Sequence, residues 1–172
     1  MNLNLSPQAA KASVFLEITA MLEKQNFTII KQDQSRPWGG FFVIDEAQTA
    51  QFVQAYFPHI QVADLQITQK LSPKILVVAP EKRLSWQYHF RRAEIWKVID
   101  GTVGVVTSQT DEEGILQTLA PDAVISLQQG QRHRLVGLQL WGVLAEIWQH
   151  TDINQPSDED DIVRVQDDFG RQ

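Results

Sequence analysis

The spacing of apolar positions along this chain changes once, and the change divides it. Over residues 9–24, Val14, Ile18, Met21 and Leu22 form a stripe with polar residues between them, which predicts an amphipathic helix. Ser6-Pro7 ahead of it reads as an N-cap followed by proline at the first helical position. Residues 26–30 are β-branched and predict a strand that ends in the polar run 31–35. Pro37 and the pair Gly39-Gly40 then interrupt regular structure before a strand at 41–44. Residues 45–57 predict a second helix, with Phe52, Val53 and Tyr56 as its apolar face, a cap near Asp45 and a stop at Pro58.

Beyond Pro58 the pattern becomes short strands parted by turns: 60–67, 74–78, two strands within 83–101, then 101–106, 115–119, 124–127, 134–138 and 140–148. Residues 111–114 read as a hairpin turn, and the acidic run 157–161 as a surface turn before a last short element. Strands at this spacing, after helices confined to the N-terminal part, predict an all-β barrel or sandwich with a helical extension.

Composition narrows the partners. The chain has 172 residues, 43% hydrophobic and 21% charged, which suits one domain with a proper core. A net charge of -6 argues against nucleic acid as a partner. There are no cysteines, so disulfides, thiolate ligands and a cysteine nucleophile are excluded. The first residues are not a basic segment leading into an apolar run, and no stretch is long and apolar enough for a bilayer, so no membrane partner and a cytoplasmic location are expected.

The chemistry concentrates in residues 83–101. Gln87 and His89 are two apart, so in an extended strand both side chains leave the same face and can reach one ion. Four residues then allow a turn before Glu94, and Gly101 closes the second strand. An amide oxygen, an imidazole and a carboxylate leave a divalent ion short of a full shell, and His133, just after the turn residue Gly130, is the candidate for the fourth position. These donors suit zinc, iron, manganese, nickel or cobalt. His59 and His150 match no such pattern and are expected to be structural.

Gln-x-His, four residues, Glu, six residues, Gly, and a later Gly-x-x-His resemble the two metal motifs of the cupin superfamily. More narrowly, Leu84-Ser-Trp-Gln-Tyr-His with Arg92-Ala-Glu and Trp96 resembles the cupin domain of type II mannose-6-phosphate isomerases. Arg36-Pro-Trp-Gly upstream, and Glu159-Asp-Asp-Ile-Val-Arg with Asp168-Phe-Gly-Arg downstream, extend that likeness over residues 36–171, with 47–70 fitting poorly. The resemblance implies a mainly β fold, the cupin double-stranded β-helix or jelly-roll barrel. Residues 1–35 would form an N-terminal helical extension, and 36–172 the cupin domain with a helical insertion at about 45–57.

It also implies an aldose-ketose isomerase acting on a phosphorylated sugar, zinc as the first choice of metal, and a homodimer. Arg92 stands in the family's Arg-Ala-Glu motif, which implies a role in catalysis or phosphate binding. Arg91 and Arg134 belong to the basic cluster around both ligand segments and are expected at the sugar phosphate, since guanidinium groups hold phosphate through paired hydrogen bonds. The same cluster, which includes Arg83, Lys97 and Arg132, also admits a plain account as salt bridges to Asp100, Asp122 and the acidic tail. Trp96 shares strand parity with Glu94 and is expected to line the cavity, whereas Lys97 should point away.

Phe90 and Arg91 stand where the family often carries histidines, and Glu81, Asp122, Gln128 and Gly137 also depart from its pattern. The changes at Phe90 and Arg91 motivate a second reading, a non-catalytic sugar- or sugar-phosphate-binding cupin, and a third is another cupin enzyme such as an epimerase or dioxygenase. The nucleotidyltransferase domain that accompanies many type II isomerases is not in this sequence, so no guanylyltransferase activity is carried over.

Overall fold

The computed structural model describes residues 3, 5–65 and 70–171. In chain order they form α1 (Lys11–Lys24), β1 (Ile29–Asp33), β2 (Gly39–Ile44), a 3-10 turn (Glu46–Gln48) leading into α2 (Thr49–Tyr56), a short α3 (Val62–Leu65), β3 (Lys74–Val78), β4 (Trp86–Tyr88), β5 (Arg92–Asp100), β6 (Val103–Ser108), β7 (Gln117–Leu119), β8 (Val124–Leu127), β9 (Arg132–Gly137), β10 (Gly142–His150) and β11 (Val163–Gln166). The strands make two antiparallel sheets, ordered β1-β2-β3-β10-β5-β8 and β11-β4-β9-β6-β7.

Strand parity sorts the apolar residues into two layers. Phe42, Ile75, Val77, Ile95, Val143, Ala145 and Ile147 lie on the outer face of the six-stranded sheet, in one cluster with α1 and α2. Phe41, Leu76, Val78, Trp96, Val98 and Leu144 lie on its inner face and meet Val103, Val105 and Leu135 of the opposing sheet. β3 and β10 are therefore covered on both sides, which is why their sequences read as nearly unbroken apolar runs. The N-terminal helix is the covering layer: Val14, Phe15, Ile18, Met21 and Leu22 are buried, and the Phe15 ring stacks on Phe42 at 5.0 Å. Each such fully buried side chain contributes about 1.5 to 3 kcal/mol.

Two turns depend on glycine. Gly101, between β5 and β6, has φ +75°, and a Cβ there would stand 2.1 Å from the Trp141 carbonyl oxygen. Gly130 has φ +74° and opens the approach to β9, as its place before His133 predicts.

Several elements differ from the sequence expectation. Ser6-Pro7 does not cap α1; the Ser6 carbonyl accepts from Ala9 N in a separate turn, and Ala10 occupies the cap position without a side-chain bond. β1 runs into the polar segment because it is an edge strand whose middle residues face solvent. Residues 62–65, within the expected strand 60–67, are helical, and 66–67 lie outside the described residues. β7 is confined to three residues, with Ile115 and Leu116 exposed ahead of it. The acidic run is more than a surface turn: Ser157 and Asp161 are buried.

Candidate metal centre

Three strand ends bring the ligand candidates together. His89 follows β4, Glu94 lies on β5 and His133 on β9, where its backbone pairs directly with Gln87 of β4. The ligand atoms of His89, Glu94 and His133 all lie within 4.8 Å of one another, and all three residues are buried. Glu94 Oε1 is 3.1 Å from His89 Nε2, and its Oε2 is 3.5 Å from His133 Nε2.

The proton positions decide what this arrangement accepts. His89 Nδ1 lies 2.6 Å from the Asp161 carbonyl oxygen and His133 Nδ1 lies 2.9 Å from that of Gln131. A carbonyl only accepts, so in each neutral ring Nδ1 carries the proton and Nε2 presents a lone pair. Both lone pairs face Glu94 oxygens at separations that repel unless a cation intervenes. Donors each about 2.1 Å from a tetrahedral ion stand roughly 3.4 Å apart, close to these spacings. His133 Nε2 and Glu94 Oε2 are buried without a hydrogen-bond partner, as expected of atoms awaiting an ion. The donor set, its spacing and the backbone-oriented imidazoles fit a divalent metal.

Electrostatics agree. Burial pushes the His89 pKa down, against the pull of Glu94, which favours the neutral ring. Burial alone would raise the Glu94 carboxyl, but the polar cluster around it, the Arg92 guanidinium included, outweighs that and holds it well below the usual carboxylate range. Arg92 is the cation already beside these atoms: Nε donates to Glu94 Oε1 at 2.8 Å and Nη2 to His89 Nε2 at 3.2 Å. Its other amine donates to Ser157 Oγ and the Asp158 carbonyl, and the guanidinium lies 3.7 Å over the Trp148 ring.

A cavity of about 410 Å³ opens beside the cluster, within the range of small-molecule sites. Gln87, Arg92, Glu94 and Trp96 line it, together with residues that sequence reasoning did not assign to the site: Lys74, Ser85, Glu146, Trp148 and Glu159. Gln87 Oε1 accepts from Ser85 Oγ at 2.5 Å. Arg36, far ahead in the chain, lines the same cavity as Arg164 and Arg171. All three belong to the flanking motifs quoted above, and that shared membership was the signal available in the sequence.

Arg91 and Arg134, expected at the substrate, are not among the cavity residues. Arg91 binds Asp158 and the Pro156 carbonyl, and Arg134, whose parity is opposite to that of His133, turns to Glu113 at 2.5 Å. Arg83, Lys97 and Arg132 pair with Asp168, Asp122 and Asp111, so each makes a salt bridge, though of the acids expected as partners Asp122 alone is among these three. His150 is fully buried and accepts from Ser157 N, and burial pulls its pKa down to about 4.

Two facing antiparallel sheets with histidines and a glutamate turned inward define a cupin barrel. The chain belongs to the family described as mannose-6-phosphate isomerase C-terminal, whose model matches residues 48–167. Among solved structures it is similar to the capsular polysaccharide assembling protein CapF from Staphylococcus aureus, at 13% identity and a TM-score of 0.53 over 81% of this chain and 34% of that one. An oxalate decarboxylase from Bacillus subtilis gives 11% identity and a TM-score of 0.53 over 78% and 30%. A cupin 2 conserved barrel domain protein from Salinispora arenicola is 23% identical over 44% of this chain and 60% of that one, with a TM-score of 0.38. The chain thus spans about a third of the CapF structure, and the first two likenesses concern the fold. No curated protein matches it. Among the described residues no helix is long and apolar enough to cross a membrane.

Proposed function

We propose that this chain is a metal-dependent aldose-ketose isomerase of a sugar phosphate, with mannose 6-phosphate and fructose 6-phosphate as the pair. The observation that carries the reading is the buried Glu94 between two Nε2 lone pairs, at a cavity that Arg36, Arg164 and Arg171 also line. His89, Glu94 and His133 would hold the ion, with Gln87 on the same wall. Zinc comes first by family, and iron, manganese, nickel or cobalt are compatible with the donors. When bound, the ion supplies Lewis-acid polarisation of the sugar's carbonyl and hydroxyl oxygens.

The rest is the work of the chain. Arg36 pairs with Asp33 and Arg171 with Asp167, and the donors that the three arginines turn to the cavity would meet a phosphate. Trp38, Trp96 and Trp148 wall the cavity and restrict water. Arg92 fixes Glu94 and places a positive charge where negative charge grows on the sugar oxygens. The cytoplasmic setting and homodimer expected above belong to this proposal as well.

One observation favours a second reading, a sugar-phosphate-binding cupin without metal or turnover: Arg92 already donates to two of the atoms an ion would need. Elemental analysis of the purified chain together with a coupled isomerase assay separates the two. The isomerase reading expects about one equivalent of metal, lost at least tenfold in His133→Ala, and turnover of mannose 6-phosphate. Binding of the sugar phosphate with neither metal nor turnover establishes the second reading. Full metal content in His133→Ala would sink the ligand assignment.

A further inference from the structure

The inner face of the six-stranded sheet carries a second buried carboxylate. On β10, Leu144, Glu146 and Trp148 alternate inward, and Glu146 is the one acidic side chain in an otherwise apolar strand core. Its backbone register sets it directly opposite Trp96 of β5 on one side and Lys74 of β3 on the other. Trp148, two residues along, sits opposite Glu94, so Glu146 is the diagonal neighbour of Glu94 on the same face. Such diagonal positions are roughly 7 to 8 Å apart along the backbone, so both side chains leave the same face of the sheet, and both line the one cavity.

Glu146 has no purely structural partner of matching charge. Trp96 Nε1 donates to its Oε1 at 3.0 Å, while Lys74 directs its ammonium to Glu159. Among the described residues no ion pair forms to Glu146, although it is 4% exposed and lines the cavity. A buried, unpaired carboxylate in a cavity is costly to keep for stability alone.

We infer that Glu146 is the catalytic residue that carries the proton between C2 and C1 of the sugar phosphate. The inference rests on the isomerase reading. The carboxylate takes the proton from C2 of the aldose. The C–H pair becomes the C1–C2 double bond, and the carbonyl π pair moves onto O1, which takes a proton from water, giving a cis-enediol. In the second half the O2 proton passes back to that water, its O–H pair closes the C2 carbonyl, and the double-bond pair takes the proton from Glu146 at C1. Atoms and electrons balance without any oxidant or reductant. In the metal-free chain burial and the nearby Glu94 charge push the Glu146 pKa up to about 8, against Lys74 and Arg92.

The test compares the full-length wild type with Glu146→Gln, which keeps an acceptor for Trp96, and with Glu146→Asp. Readouts are turnover of mannose 6-phosphate, incorporation of solvent deuterium at the migrating position, metal content, and calorimetric affinity for the same sugar phosphate. The expected result is a loss of kcat of at least a thousandfold in Glu146→Gln, with metal content intact and affinity within about threefold, and partial activity in Glu146→Asp. A Glu146→Gln chain that isomerises at the wild-type rate overturns the assignment and leaves the isomerase reading standing. Loss of affinity or metal in step with kcat, in both variants, overturns it in favour of a structural role. A metal-loaded wild type with neither turnover nor deuterium uptake overturns both.

Discussion

Replacing Asp161 by alanine should cost more than any other single change in the C-terminal segment. The Asp161 carboxylate accepts from Phe90 N at 3.0 Å, Arg91 N at 2.9 Å and Ser157 Oγ at 2.6 Å, while its carbonyl accepts from His89 Nδ1 at 2.6 Å and Arg92 Nη1 at 3.2 Å. It ties the loop between β4 and β5 to the tail. Each bond to a charged group is worth about 1.5 to 3 kcal/mol, and water entering the vacated space restores part of the loss. Removing one member of a buried ionic network costs about 3 to 5 kcal/mol, so we expect about 3 to 4 kcal/mol in urea unfolding at pH 7. For a chain of this size that is a fall in Tm of roughly 6 to 15 °C.

Burial by itself would raise the Asp161 carboxyl, but the Ser157 hydroxyl, the two amides and Arg92 prevail and hold it below its ordinary 3.8. A depressed carboxyl stabilises the fold above its unfolded value and loses that contribution as the pH falls through its folded one. The deficit of Asp161→Ala should therefore be constant around neutrality and shrink only below pH 3.8. Metal affinity should drop about tenfold, because the segment that orients His89 is loosened. A variant within about 1 kcal/mol of wild type, with an unchanged denaturant slope, would refute the reasoning.

Two further outcomes follow from the cavity. Arg171→Gln should weaken calorimetric binding of mannose 6-phosphate about tenfold, whereas Arg91→Gln should leave it within about twofold; equal effects would contradict the placement of phosphate among Arg36, Arg164 and Arg171. In metal-free protein, Glu146 should make stability fall with rising pH. Its raised folded pKa favours the fold fully below the ordinary 4.5, and that advantage is gone above about 8. Urea titrations of wild type should show this decline and Glu146→Gln should remove it, and parallel curves would show that Glu146 does not titrate as its surroundings among Glu94, Lys74 and Arg92 require.

What the sequence disclosed was local. Gln87 and His89, two apart on an extended segment, and Glu94 after a turn are legible from spacing because strand parity is local. His133 needed family resemblance in addition, since the pairing of β4 with β9 joins residues 46 positions apart. Arg91 and Arg134 do not line the cavity, because crowding near ligands in sequence says nothing of side-chain direction: each flanks a cavity residue or ligand and turns to an acid elsewhere. Glu146 was hidden for the opposite reason. It belongs to the site only because β10 lies between β3 and β5, an order that no periodicity reveals. Likewise, α3 won over a strand at 62–65, where weak alternation left local propensity undecided.

The strand that presents Glu146 and Trp148 to the cavity presents Ala145 and Ile147 to the helices behind it. The N-terminal layer is thus the dry backing of the cavity. A version of this protein shortened to begin at Arg36 would keep every residue that lines the cavity yet lose Val14, Phe15, Ile18, Met21 and Leu22 from the reverse of its main wall, so trimming what looks like an appendage would reach the cavity from behind.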